Sequence, residues 1–220
     1  LLVFEIRQCT QPECRLRMPI DPAVHRGAFC PRCGAPMTRV AGPYRHRQEA
    51  KAARPQRTFH VLLDNLRSVY NTGAIFRTAD GVGVGHLYLC GITPNPKDHP
   101  ELAKTALGAE LGTAWSAHPD AVAVGQGLRA AGHRLVALET APGSMPIFEA
   151  NLTTLEGDPL VLVVGNEQAG VDPGLFDLCD LTLSIPMVGK KASLNVAVAF
   201  GVAAFWLAFS TVEFVAKDEQ

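Results

Sequence analysis

Two periods of apolar residues alternate along this chain. Short runs rich in Val, Leu and Ile recur at 59–63, 84–90, 134–138, 160–164 and 181–185. The run at 160–164, LVLVV, has no polar position, the pattern of a strand buried on both faces of a parallel sheet. Between the runs lie stretches with helical spacing. One covers about 72–81 and is closed by Gly81-Val82-Gly83; another covers 120–132 with an apolar stripe. A third, almost wholly apolar helix is expected from about Leu194. Strands alternating with helices predict an α/β sheet.

Two runs stop abruptly. LVLVV gives way to Gly165-Asn166-Glu167, and 181–185 breaks at Pro186, after which a loop at 187–193 leads into the last helix. In open α/β sheets ligands bind in the crevice at the carboxyl ends of the strands. Glycines at 165, 170 and 189 let backbone approach a ligand closely. These loops are expected to form a cofactor pocket with Asn166, Glu167, Ser193 and Asn195 as polar groups. Asn71 is expected just before the 72–81 helix, free to turn toward the same pocket as Arg77. That helix is mainly apolar at Ala74, Ile75, Phe76 and Ala79, so an arginine within it calls for a phosphate or carboxylate partner. The KTALGAE segment at 104–110 reads equally as a substrate or subunit contact and as a plain connection.

Charge changes the picture at the amino end. The net charge of −1 hides a split. Residues 1–57 carry eleven Lys/Arg against four Asp/Glu, net +7, and the remainder is net −8. A basic arm on an acidic body attracts nucleic acid through its phosphates. Within that arm Cys9-x4-Cys14 and Cys30-x2-Cys33 form two knuckles, whose four thiolates complete a tetrahedral zinc shell. Such a shell has no open position, so the metal is structural. Arg7, Arg15, Arg17, Arg26, Arg32 and Arg39 surround the knuckles, with Phe29 and Tyr44 available for stacking. The zinc-ribbon-like module is read as 1–39, a basic linker as 40–57 and the main domain as 58–220. Cys90 and Cys179 read as small core hydrophobes. The start, LLVFEIRQC, lacks the features of a signal peptide. The apolar stretch 194–209 falls short of the ~20 residues of a membrane span. A cytoplasmic protein that does not contact membrane is expected, its cysteines not paired as disulfides.

Three segments in fixed order carry more than any one alone: NTGAIFRTADGVG at 71–83, VVGNEQAG at 163–170 and IPMVGKKASLNVAVA at 185–199. Together they resemble the three motifs of the SpoU (TrmH-like) branch of the SPOUT RNA methyltransferases, over residues 58–210. The resemblance implies a mostly parallel sheet whose carboxy-terminal segment is threaded as a deep trefoil knot. It implies bound S-adenosyl-L-methionine, a homodimer with sites at the interface, and methyl transfer to a ribose 2′-hydroxyl of tRNA or rRNA. Carried over by position, it makes Asn71, Arg77, Glu167, Ser193 and Asn195 the catalytic set, with Arg77 at its centre. It puts Gly165, Ile185, Met187 and Leu194 against the cofactor, where Asn166 joins them as a polar group of the expected pocket. The amino-terminal arm departs from many relatives. Two other readings stay open: a base-directed RNA methyltransferase, and an inactive zinc-ribbon RNA-binding protein. A dinucleotide-dependent dehydrogenase is disfavoured, since no G-x-G-x-x-G follows the first strand.

Overall fold

The computed structural model describes residues 3–45, 55, 57–150 and 159–210. Contacts divide the chain into two units, Leu1–Ala53 and Arg54–Gln220.

In the first unit, β1 (Val3–Cys9), β2 (Arg17–Ile20) and β3 (Met37–Arg45) form an antiparallel sheet in the order β2-β1-β3. Strand β3 takes up residues 40–45 of the stretch read as a linker; positions 46–54 and 56 of that stretch lie outside the described residues. The apolar interior is small. Cys9, Cys30 and Met37 are buried, with Cys14, Leu16, Met18 and Ala35 packed against them. So few side chains cannot hold a fold unaided. The four cysteines supply the rest. Their sulfurs all lie within 4.8 Å of one another, with Cys9 and Cys33 Sγ 3.5 Å apart and Cys14 and Cys30 Sγ 3.7 Å apart. A tetrahedral zinc with ~2.3 Å bonds sets sulfurs about 3.8 Å apart, so the donor set fits. Thiols this close do not ionise alike. Burial pushes Cys9 up to about 12. At Cys30 burial acts against ionisation, yet the N–H groups of Arg32 and Cys33 and the neighbouring thiols bring it down to about 7. A divalent cation removes that conflict by taking all four as thiolates.

The second unit is built on seven parallel strands: β4 (Phe59–Asp64), β5 (Leu87–Cys90), β6 (Trp115–His118), β7 (Arg134–Leu138), β8 (Met145–Pro146), β9 (Leu160–Val164) and β10 (Leu181–Ser184). Their order is β6-β5-β4-β9-β7-β10-β8. Helices cover both faces. On one, α1 (Val69–Val82), α6 (Val196–Phe209) and the single turns α2 (Ala103–Ala106) and α3 (Ala109–Gly112) accompany a core that includes Phe59, Leu63, Ile75, Phe76, Leu162 and Phe200. On the other, α4 (Ala121–Ala130) and α5 (Pro173–Phe176) close over Leu62, Leu135, Val161 and Val163. Strand β9 lies between β4 and β7, and all five of its residues are buried. The chain therefore builds outward from β4 to β6, crosses to β7, and returns β9 to the gap. Cys90 and Cys179 serve the second core as expected, and burial pushes both thiols up to about 12. Strand β5 starts later than its apolar run because Val84 still closes α1, its N–H donating to the Ala79 carbonyl at 2.9 Å. No helix among the described residues is long and apolar enough to cross a membrane.

Toward the β6 edge this face turns polar. His60, His86 and His118 surround Tyr88, and His133 meets His60 edge-on at 5.5 Å. Ser116 Oγ bridges His86 Nε2 at 2.8 Å and His118 Nε2 at 2.7 Å. Burial, then the His133 and His86 rings, lowers the His60 pKa; burial and His118 lower that of His86.

Two expectations follow. The folded pKa of His60 and of His86 lies below the unfolded value near 6.5. The unfolded chain then binds more protons in acid, so stability falls as pH drops through that value toward the folded pKa. Thermal melts followed by Trp115 and Trp206 should show a lower midpoint at about pH 5.5 than at about pH 7.5. A His60→Asn variant should show a smaller drop. Separately, purified protein should contain about one zinc per chain. A chelator should strip hydrogen-exchange protection from β1–β3 while the seven-stranded sheet keeps its own.

Candidate functional site

The loops that leave β4, β9, β7 and β10 at their carboxyl ends enclose a cavity of about 660 Å³. This is where strand order reverses around β4 and β9, the position that open α/β sheets use for ligands. The size suits a small-molecule cofactor.

The polar half of the cavity is one hydrogen-bonded chain. Glu167, two residues past the glycine that ends β9, accepts from the N–H groups of Arg67 at 2.9 Å and Ser68 at 3.2 Å. It also accepts from Asn71 Nδ2 at 3.1 Å. Asn71 Oδ1 in turn accepts from Asn195 Nδ2 at 3.1 Å. Asn195 caps α6, its Oδ1 accepting from Ala197 and Val198 N–H. Three segments distant in sequence are thus joined by two amides and a carboxylate. Burial works against charge on Glu167, but the Arg67 N–H, its own N–H, the Asn71 amide and the Ser68 N–H outweigh it and hold its pKa below the ordinary carboxyl value. The positive end of α1 adds to this preference for an anion.

The start of α1 differs from expectation. Its N-cap is Ser68, whose Oγ accepts from Asn71 N–H at 3.2 Å, so Asn71 is inside the first turn rather than ahead of the helix. The signal was present as Ser68-x-x-Asn71, a cap residue three positions before a polar residue. In a capping box the third helical residue reaches back to the cap N–H; here Glu167 from another loop does so.

Placing Asn71 in α1 also separates it from Arg77. Six residues turn a helix by about 600°, leaving the two side chains on different sides. Arg77 is exposed, outside the cavity lining, and makes no hydrogen bond or ion pair among the described residues. Of the ten catalytic and cofactor positions named from sequence, the other nine line the cavity: Asn71, Gly165, Asn166, Glu167, Ile185, Met187, Ser193, Leu194 and Asn195. Of these, Ser193 is exposed and has no hydrogen-bond partner among the described residues. Asn166 shapes the β9 loop, donating to the Asn65 carbonyl at 2.6 Å and accepting from the N–H groups of Gln168 and Ala169. Two charged residues were not anticipated. Arg67 reaches Gln168 Oε1 at 2.6 Å. Glu139, directly after β7, accepts from Thr140 and Val171 N–H. Its place at a strand's carboxyl end was its only signal.

The glycines also act differently from expectation. A Cβ on Gly165 would lie 2.3 Å from the backbone of Gly170 and Val171, because Asn166 and Gly170 pair as a backbone bridge and fold the loop onto itself. Its bareness serves the loop's own closure. Gly170 has φ +76° and lies against the Glu139 carboxylate, while a Cβ on Gly189 would meet nothing within 4 Å. Gly165→Ala should therefore destabilise the protein by about 1–3 kcal/mol, as overpacking does. Gly189→Ala should melt within error of the parent.

Residues 58–205 match the SpoU rRNA Methylase family model. Among similar proteins, a 23S rRNA (uridine(2479)-2′-O)-methyltransferase of Streptomyces viridochromogenes is 34% identical over 62% of this chain and 47% of its own length. A tRNA (guanosine(18)-2′-O)-methyltransferase of Aquifex aeolicus is 32% identical, over 67% of each chain. The crystal structure of an AdoMet-bound rRNA methyltransferase from Sinorhizobium meliloti aligns with a TM-score of 0.63 at 30% identity, covering 72% of this chain and 58% of that one. The chain thus spans about half to two thirds of the length of these relatives. With a family match over more than half of its residues, this chain belongs to the SpoU rRNA methylase family.

Proposed function

We propose that this protein transfers a methyl group from S-adenosyl-L-methionine to a ribose 2′-hydroxyl of tRNA or rRNA. The observation that carries the reading is the cavity at the ends of β4, β9, β7 and β10, where Asn71, Glu167 and Asn195 form one hydrogen-bonded chain. Relatives that the family groups with this chain methylate ribose 2′-oxygens. Val164, Ile185, Met187 and Leu194 give the cavity apolar surface, and the folded Gly165–Gly170 loop presents backbone groups. Both suit the adenosyl and methionyl parts of the cofactor. When bound, that cofactor supplies an electrophilic methyl on a sulfonium. The protein's tasks are to hold the 2′-oxygen in line behind that methyl and to help its proton leave.

In this reading Glu167 fixes the first turn of α1 and holds Asn71 toward the sugar, and Asn195 does the same from α6. The Ser193 hydroxyl, without a partner among the described residues, is available to the substrate. Arg77 grips the phosphate beside the target ribose. A guanidinium with pKa above ~12 is a poor base, so its role is orientation.

A homodimer fits the same surface. Helix α6 is apolar on all sides, yet Val198 and Phe205 are exposed at 54% and 51%. On α1, Tyr70 is 55% exposed and stands seven residues, two turns, before Arg77, hence on one stripe with it. An apolar helix face without a cover calls for another element. A second copy pairing through α1 and α6 would bring Arg77 to an intersubunit site. We also read the family's knotted carboxy-terminal threading into this chain, since β10 is inserted between β7 and β8 before α6 follows. The metal-bound module and the methyltransferase body are read as separate working parts. The cytoplasm is read as their place, given six unpaired cysteines.

Calorimetry should show S-adenosyl-L-methionine binding to the purified protein. Mass spectrometry of nucleosides from cells lacking it should show the loss of one 2′-O-methyl mark. Loss of a base methyl instead would redirect the reading. Arg77→Ala should bind the cofactor as the parent does while losing on the order of 100-fold or more in turnover. Unchanged turnover would remove Arg77 from the mechanism.

A further inference from the structure

We propose that the outward face of the amino-terminal three-stranded sheet binds single-stranded RNA, stacking bases on Tyr44 and Phe4 and holding phosphates with Arg17 and Arg15. The proposal rests on the reading of the body as an RNA methyltransferase and assigns the module's partner.

Strand register separates the two faces. Opposite residues in a ladder share a face, and neighbours along a strand alternate. Cys9, Arg7 and Glu5 of β1 pair with Met37, Arg39, Met18 and Ile20, so this face holds the metal site and the small core. It also takes up Glu5, which is buried, bonded to Arg7 Nε at 2.5 Å and 3.8 Å from Arg39. The other face carries Gln8 with Arg17 and Thr38, then Ile6 with Pro19 and Ala41, then Phe4 with Tyr44, with register shifts between β1 and β3 on either side of Ile6. Arg17, Thr38 and Tyr44 are exposed, and Phe4 and Gln8 are partly so. No core lies over this face among the described residues.

Its chemistry is ordered along the strand. At one end the Phe4 and Tyr44 rings lie 6.0 Å apart, tilted by 32°. At the other, Gln8, Thr10, Arg15 and Thr38 line a notch of about 320 Å³ beside the first knuckle. From Phe4 to Gln8 the strand runs about 13 Å at ~3.3 Å per residue. Unstacked bases of a single strand stack on exposed aromatic rings of this type. The arginines neutralise phosphates, and Gln8 and Thr38 offer donors and acceptors to base edges. The net charge of +7 over residues 1–57 complements a polyanion. A duplex keeps its bases stacked and gains nothing from exposed rings, so the aromatic end selects single strands. Phe29, although 67% exposed, lies in a bridge with Pro36 outside these strands and is not part of the face.

The test uses the full zinc-loaded chain and a fluorescein-labelled, mixed-sequence single-stranded RNA of about a dozen nucleotides, read by anisotropy. A hairpin duplex of the same length is the comparison. The parent should prefer the single strand. Tyr44→Ala should weaken binding roughly 5- to 150-fold, and Tyr44→Phe should restore it. Arg17→Ala should weaken binding and reduce the salt slope by about 0.7. All three variants should keep the parent's zinc content and S-adenosyl-L-methionine affinity. Parental RNA affinity in both Tyr44→Ala and Arg17→Ala, or a preference for the duplex, would overturn the proposal. So would binding to neither RNA, which would leave a protein surface as the partner. Should Tyr44→Ala lose its zinc, Arg17→Ala and its salt slope decide alone. If the parent fails to bind the cofactor, the methyltransferase reading fails, and the RNA comparison still decides this one.

Discussion

A single carboxylate organises the site. Glu167 hangs from a loop after β9, yet its partners are two backbone N–H groups and an amide at the start of α1, about a hundred residues earlier. A helix begins with four N–H groups that have no partner inside it. Ser68 satisfies one with its own side chain. Glu167 bonds another, that of the cap residue Ser68, together with the Arg67 N–H just ahead of the helix. The acid is therefore both a cap and a strut: it satisfies the helix entry and pins one wall of the cavity to another. Its charge is held by backbone dipoles rather than by a cation.

Much of the scaffold is legible in the chain, for identifiable reasons. LVLVV reads as a doubly covered strand because no polar side chain breaks it, and its observed span is Leu160–Val164. Asp120 and Gly83 mark helix ends because each does what only a few residue types do: a short acid accepts from an N-terminal N–H, and a glycine takes φ +74°. The edge strands β6 and β8 are not legible. Trp115-Ser-Ala-His is only partly buried and Met145-Pro146 is two residues long, so neither offers a sustained period. The strands of the amino-terminal sheet are hidden for a related reason. Their apolar positions need only fill the small space around four sulfurs, so no apolar stripe is required of them.

At the site, nine named positions line the cavity. Loops at the ends of parallel strands point to Asn166, Glu167, Ser193 and Asn195, whereas Ile185, Met187 and Leu194 come from the motif resemblance alone. Arg77 shows the limit of that argument. Counting apolar neighbours indicates a buried helix but not which side of it a given residue takes. The register of α1 depends on its cap, and a start at Ser68 rather than Thr72 moves Asn71 into the first turn. Gly165 shows another limit. Its need for bare backbone is readable, but whether the approaching group is a ligand or the chain itself depends on the Asn166–Gly170 bridge.

The place of β9 in the sheet has a consequence for how the protein is made. A ribosome releases β4, α1 and β5 long before β9, which lies on the other side of β4, and the place between β4 and β7 stays open until residue 164 has emerged. Asn195 arrives later still. Until then the nascent chain exposes the flank of its most apolar strand pair and has no finished pocket to be rescued by a ligand. Pairings this distant in sequence are slow to form. The interval between synthesis of the first and last thirds is thus the time at which this fold is most exposed to wrong partners.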